Sequence, residues 1–493
     1  MMNTPNCYLA QAGAEEANHK IDERTPSNQS RSSFGFVPFF KQNCISLYHP
    51  HEPIRALFEE LLKEVVSQEK IALIVESLYK YCPKTLLSLA FVLPSFFSLD
   101  HPMIKRLEDM LQRYRLSANT FDQAAAYLAL VMIEKTAQEE FPVDVEKFAL
   151  PFANKDLFEE DVKIPSPFTY IPLALIAILV FKKTGDEKAK KVALSIASWQ
   201  KSLLMTQGDM LIGPWMKEKD FSKANYYIWN YLLFSAVCGE YREKEALFRA
   251  IEKLPMELLE KIDPLTYFIA EAVEDCNNDE NQLELDTLSS GKVFGLTVDG
   301  QEEGKWALSL FGDKTGFGSF GKNKIQIVSF GPHFFPLGEV DRFGIERGFN
   351  VLERSNESIQ DHFTGWTLAT YVSDEGRVWL NINLKKEAHG WKLQLKTEHL
   401  KKEQRFAFVF FVSAKSAQIG RQMKLYSSSL DRYVGQKETI HFSCGEEFLT
   451  IEPQFSTEQE VIPLAGMDHF WGADFLVAHT IKSCNQIYEW LIK

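Results

Sequence analysis

The residues of this chain best suited to chemistry gather in two short stretches. The first is Asn225–Tyr226–Tyr227–Ile228–Trp229–Asn230–Tyr231. At helical spacing Tyr226 and Asn230 share a face, as do Tyr227 and Tyr231, and Asn225 and Trp229. Rings alternating with amides suit a sugar, whose C–H face stacks on aromatics while its hydroxyls need donors and acceptors. A tyrosine here acts as a proton-abstracting base only where a neighbouring cation lowers its pKa from about 10. The plainer reading is a core helix whose polar atoms bond adjoining loops. Trp215, in Leu211–Ile212–Gly213–Pro214–Trp215, is either a stacking residue at a cleft rim or a loop tryptophan covering the core.

The second stretch is Ser329–Arg347, SFGPHFFPLGEVDRFGIER. Rigid Gly/Pro-rich loops that hold polar side chains are frequent sites. His333 offers a general acid or base, Glu339 or Asp341 can orient it, and Arg342 can grip a carboxylate with its planar fork. The plainer reading is a structural corner with an Asp–Arg pair. Asp361–His362 and Asp468–His469 also place acids beside imidazoles. Convergence of such scattered pairs on a metal is not expected, and they read as strand-end residues. Gly312, Gly316, Gly318 and Gly321 read as turn glycines. No phosphate-cradling loop, dinucleotide fingerprint or nucleophile elbow occurs, and no cofactor is expected.

The elements that must position these groups change character along the chain. Its 493 residues bear 54 Lys+Arg against 67 Asp+Glu, a net charge of −13. Such a field opposes nonspecific binding to nucleic acid or anionic membranes. Neither a nucleic-acid partner nor a membrane span is expected, and nothing in the sequence fixes an oligomeric state. The seven cysteines are scattered, odd in number and without a CxxC, as in a reducing compartment. Residues 1–34 are polar and lack the apolar core of a secretory signal. They read as a disordered leader and the protein as cytoplasmic, the alternative being an address for a non-Sec export machine. Phe168–Phe181 is an apolar run of 14 residues, short of the ~20 of a span, and reads as a buried helix.

Helical periods dominate residues 35–275. They run through Ala56–Ser67, Lys70–Tyr81, Lys84–Leu99, His101–Tyr114, Phe121–Lys135, Pro167–Lys183, Asp186–Met205, Lys223–Gly239, Tyr241–Leu254 and Pro255–Val273. Asn119 or Thr120 can cap the fifth, and Gly185 can stop the sixth. Helical hairpins in series stack as a solenoid or curl into an (α/α) toroid. The toroid is favoured because several helices are apolar nearly all round. Residues 276–288 form an acidic linker. In 289–493 the period becomes two, with strands at Lys292–Val298, Lys305–Phe311, Lys324–Phe330, Gly365–Val372, Arg377–Leu384, Trp391–Lys396, Arg405–Val412, Thr439–Cys444, Phe448–Glu452 and Trp471–Ile481. Turns are expected at Asp299–Gly300 and Asp374–Gly376. The fold class is therefore multidomain, α then β: a helical toroid or solenoid followed by an antiparallel β-sandwich.

This layout, with Asn225–Tyr231 on its helical side and His333 on its sandwich side, resembles the toroid-plus-sandwich polysaccharide lyases, heparinase II/III-like and alginate-lyase-like. The likeness implies β-elimination on a uronate-containing glycan in an interdomain cleft. Tyr226, Tyr227 and His333 would be catalytic. Trp215, Asn225, Asn230, Tyr231 and Arg342 would bind an acidic glycan. The family's helical histidine has no counterpart, since the helical region holds only His101. Its sandwich motif of alternating His and Asp is also missing. The alternative is a noncatalytic binding or scaffold protein that keeps the architecture, which the reducing cysteine pattern favours.

Overall fold

The computed structural model describes residues 57, 60, 67–78, 83–117, 119–135, 140–143, 167–205, 207–216, 222–238, 242–255, 258, 262, 265–276, 283, 291–293, 296–299, 304–309, 316–333, 350–359, 362–371, 374–400, 406–421, 423–464, 470–482 and 486–493. The leader, most of Ala56–Ser67, most of the acidic linker, and Glu339, Asp341 and Arg342 lie outside them. Phe36–Lys493 forms one compact unit. Helices come first and antiparallel strands second.

Nine helices are described: α1 (Gln68–Leu78), α2 (Pro83–Val92), α3 (Pro102–Tyr114), α4 (Thr120–Met132), α5 (Pro167–Thr184), α6 (Glu187–Leu203), α7 (Lys223–Cys238), α8 (Arg242–Glu252) and α9 (Leu265–Cys276). Their starts follow local chemistry. His101 Nδ1 accepts from Met103 N at 3.3 Å to cap α3. Asn119 Oδ1 accepts from Phe121 N at 2.9 Å to cap α4. The carboxylate of Asp186 caps α6 through Lys188 N and Ala189 N, and its other oxygen accepts from Phe141 N at 2.8 Å. One side chain thus starts a helix and pins a distant loop, where an alanine would cost about 1 kcal/mol. Gly185, at φ 75°, makes the left-handed stop that lets α5 turn directly into α6.

The apolar run expected as a buried helix is α5. Among the described helices it alone is long and apolar enough to cross a membrane, but its flanks are covered by α4, α6 and α7. The last described helix returns to an early one. Phe268 of α9 lies flat against Phe91 of α2, with ring centroids 6.4 Å apart.

The strands form two antiparallel sheets of nine strands each. The first runs in the order β1 (Gly291–Val293), β2 (Leu296–Asp299), β3 (Lys305–Ser309), β4 (Gly318–Lys322), β5 (Ile325–His333), β10 (Phe406–Ser413), β17 (Phe475–Ile481), β16 (Glu458–Pro463) and β13 (Tyr433–Gln436). The second runs β12 (Met423–Tyr426), β11 (Ser416–Ile419), β14 (Ile440–Cys444), β15 (Glu447–Pro453), β18 (Ile487–Ile492), β9 (Gly390–Glu398), β8 (Asp374–Glu387), β7 (His362–Tyr371) and β6 (Asn350–Ile359). Three local expectations change. Lys292–Val298 is a hairpin of two strands rather than one. Asp374–Gly376, expected as a turn, belongs to β8. Trp471 stands in a short helical turn at φ 56°, ahead of β17.

At the centre of the first sheet both faces are buried. Along β10, Phe406, Phe408, Phe410 and Val412 enter the core shared with the second sheet. Ala407, Val409 and Phe411 enter the core shared with the helices. That is why the strand reads as an unbroken apolar run instead of an alternation. The molecule is layered: helices, first sheet, second sheet.

Candidate functional site

The helices meet the first sheet through the segment after α6. The chain leaves Leu203, bridges Leu204 to Met210, and lays Met210–Met216 against the first sheet beside the start of β5. Polar groups fasten it there. Gln326 of β5 accepts from Ile212 N at 3.1 Å and donates to Met210 O at 3.0 Å. Lys305 of β3 sends its ammonium to Ser202 O and Leu204 O, at 2.9 and 2.6 Å. A cation thereby satisfies the last carbonyls of α6, at the negative end of its dipole. Trp471 Nε1 donates to Met216 O at 2.9 Å. Space is tight as well: a side chain on Gly316 would run into the Pro214 ring, and one on Gly321 into Met205.

The aromatic helix α7 supports this segment from the other side. Tyr226 and Tyr227 are buried, and so are Trp229, Asn230 and Tyr231, while Asn225 is partly covered. Tyr226 Oη donates to Leu211 O at 3.3 Å. Tyr227 Oη accepts from Met210 N at 3.3 Å and donates to Asp209 Oδ1 at 3.1 Å. Asn230 Nδ2 turns back to Tyr226 O at 2.8 Å, and Trp229 Nε1 donates to Thr266 Oγ1 at 2.9 Å. Trp215 is also buried, packed beside Gly213. The rings expected to stack on a ligand therefore line the core in this conformation. Burial holds both phenols well above their ordinary pKa, and for Tyr227 the neighbouring Asp209 adds to the effect. Burial likewise lifts Tyr231 to about 12.

His333 closes the far end of β5, opposite Ala407. Gln326, beside the segment that the tyrosine hydroxyls grip, stands near the strand's start. At ~3.3 Å per residue the strand separates the two positions by roughly 20 Å. His362 lies in β7, while Asp361, Asp468 and His469 are outside the described residues.

Charged residues that the sequence reading did not single out do converge at the segment. Lys223, in the first turn of α7, holds its ammonium 5.5 Å from the Tyr227 ring centroid. Its charge acts on two carboxyl groups, Asp209 and Asp474. Burial raises the pKa of Asp209, opposed by Lys223, the Tyr227 hydrogen bond and Lys324 but aided by Glu447. Burial raises Asp474 as well, against the pull of Ala414 N at 2.8 Å, Ser413 Oγ at 3.2 Å, Lys223 and Lys415. Acids held up beside a lysine at a junction of two layers are the usual setting of a working site. Among the described residues, Trp215 Nε1, Ser319 Oγ and Ser329 Oγ are buried here without a hydrogen-bond partner. Buried polar atoms of this kind call for water or a ligand hydroxyl. The sequence did carry a faint signal: Asp209 is the one acid in Met205–Ile212, and Asp474 follows Gly472–Ala473 directly before an apolar strand.

No protein-family model matches the chain, and no curated protein matches it. Among solved structures it is similar to heparan sulfate lyase HepC from Pedobacter heparinus, at 7% identity over 96% of this chain and 84% of that one, TM-score 0.30. It is also similar to a 4-alpha-glucanotransferase from Thermococcus litoralis, at 7% identity over 89% of this chain and 63% of that one, TM-score 0.32. Both of those proteins are glycan-active enzymes, and the likeness at these scores is distant.

Proposed function

We propose that the protein handles an acidic glycan where its helices meet the first sheet. The observation that carries this reading is the placement of Lys223, over the Tyr227 ring, where its charge acts on two carboxyl groups, Asp209 and Asp474, whose pKa values burial raises. A lysine can pair with a uronate carboxylate, and a protonated acid can donate to it. The partnerless Trp215 Nε1, Ser319 Oγ and Ser329 Oγ suit sugar hydroxyls.

The finer proposal is β-elimination at the uronate. A base removes the proton beside the carboxylate, a carbon–carbon double bond forms, and the glycosidic C–O bond breaks as an acid protonates the leaving oxygen. In this proposal Asp209 serves as the base and Asp474 as the acid. His333, at the end of β5, and Arg342 remain proposed contributors. The internal hydrogen bonds of Tyr226 and Tyr227 favour a second reading, noncatalytic binding, because both phenols are spent on positioning the Asp209–Ile212 segment.

Incubation with hyaluronan, heparin and polygalacturonate tests both. Growth of the ultraviolet absorbance of an unsaturated uronate supports elimination, and its loss in Asp209→Asn assigns the base. Binding without that absorbance supports the second reading, whereas no binding to any of the three removes the proposal.

A further inference from the structure

The outward face of the second sheet carries two aromatic side chains that a soluble fold has no need to leave open. Tyr426 of β12 is 54% exposed and Phe448 of β15 is 61% exposed. The register places them in one cross-strand row. Tyr426 pairs with Ser416, Ser416 with Ser443, and Ser443 with Phe448. The row spans three strand intervals, so the rings stand ~14 Å apart at ~4.8 Å per strand. Between them the floor is low and hydroxylated, with Ser416 Oγ and Ser443 Oγ bonded to one another at 2.7 Å.

The next row is polar throughout. It holds Lys424, Gln418, His441 and Thr450, with His441 Nδ1 and Thr450 Oγ1 2.9 Å apart. The Lys424 ammonium lies 5.2 Å from the Tyr426 ring centroid, so a cation stands beside a stacking ring. The strip also adjoins the charged junction. Glu447, next to Phe448, accepts from Lys324 N at 2.7 Å, and both residues act on Asp209. Lys415, next to Ser416, acts on Asp474.

We infer that this row is a platform for an extended acidic polysaccharide, which lies across the strands and leads toward the junction. The inference rests on the glycan reading above and adds a second, external subsite to it. Two rings separated by hydroxyls match the alternation of apolar ring faces and hydroxyl edges along a sugar chain. A protein partner would instead require a contiguous apolar centre, and would leave the serine floor and the Lys424 row desolvated. Lys415 and Lys424 supply local charge complementarity on a chain that is otherwise acidic.

Calorimetric titration of long hyaluronan chains and of a hyaluronan tetrasaccharide, repeated with heparin and polygalacturonate, tests the platform. The proteins compared are native, the double variant Tyr426→Ala/Phe448→Ala, and Lys223→Ala. Both rings are exposed, so the double variant should keep the native unfolding midpoint. The platform predicts that it loses at least about tenfold in affinity for long chains and keeps its affinity for the tetrasaccharide. Native affinity for long chains in the double variant overturns the platform and leaves the junction reading standing. Native tetrasaccharide affinity in Lys223→Ala removes the junction reading, while a long-chain loss in the double variant still supports the platform. A native protein that sediments as a dimer, with the double variant a monomer, assigns the row to self-association and overturns the inference. Absence of binding to all three glycans overturns both.

Discussion

The two faces of the first sheet are built from alternate residues of the same strands, yet they are chemically unlike. Toward the second sheet stand Trp306, Phe320, Phe408 and Phe410, with Trp490 stacked on Phe408 at 4.8 Å. Toward the helices stand mainly smaller side chains, Ala307, Val328, Ala407, Val409 and Ala478, with Phe411 and Leu476 the large ones, and near them Gln326 and Lys305 bond to backbone of the docking segment. One face is held by ring packing, which tolerates few polar atoms. The other is held by directional bonds, which fix a segment of chain in place and bring acids and a lysine beside it. The difference teaches that stability and positioning are divided between faces. Small side chains allow the backbone of the docking segment to come close, and that closeness is what lets charged groups from both layers share one site.

The comparison is broken most severely at Gln326. Gln326→Ala deprives Ile212 N and Met210 O of their buried partners, at about 1–3 kcal/mol each. Urea unfolding should show that loss, whereas a change below ~1 kcal/mol would mean the junction is held by packing after all.

The apolar face has its own exception. His479 is buried among Phe410, Phe455 and Trp490, with Trp490 Nε1 donating to its Nδ1 at 3.4 Å. Burial brings its pKa down from 6.5 to about 3. Between those values the unfolded chain takes up a proton that the folded protein refuses. Stability should therefore fall as pH drops from about 6.5 toward 3, with no contribution from this group above that window. His479→Phe fits the aromatic surroundings and should recover on the order of 2 kcal/mol at pH 5 relative to pH 8. An unchanged acid limb in thermal melts would show that the imidazole is protonated where it stands.

The smallest effect is expected at Asp474. Its raised pKa means that the folded state favours the protonated form, so its contribution is full at low pH and is lost as pH rises through the folded pKa. Asp474→Asn keeps an acceptor for Ala414 N and Ser413 Oγ but cannot ionise. It should be somewhat more stable than the native protein at pH 7 and equal to it at pH 3. Destabilisation at pH 7 would show that the charge pairs productively with Lys223.

The order of helices and strands was legible because hydrophobic period is a local property. Asn119, Asp186 and Gly185 mark helix ends through bonds spanning a few residues. Strand pairing across the chain was not legible: that Gln326 meets Ile212, or that Ser416 lies between Tyr426 and Ser443, depends on contacts more than 100 residues apart in the first case and on register in the second. The aromatic helix was visible as unusual, with the core-helix reading and the ligand-stacking reading both open. Amides and phenols that look ready for a ligand serve equally well to hold a loop, and only the position of Leu211 O and Asp209 distinguishes the two uses. Asp209 and Asp474 escaped notice because each is a lone acid whose partner, Lys223, is supplied by another element.

Lys223 is the proposed cation at which an acidic glycan meets the junction. The most direct measurement is calorimetric titration of a uronate tetrasaccharide into native protein and Lys223→Ala, with unfolding midpoints recorded alongside. The native protein should bind measurably, the variant should lose at least about tenfold, and the midpoints should agree within the small range of a partly exposed substitution. Equal affinity in the two proteins, or no binding to the native one, contradicts this role of Lys223.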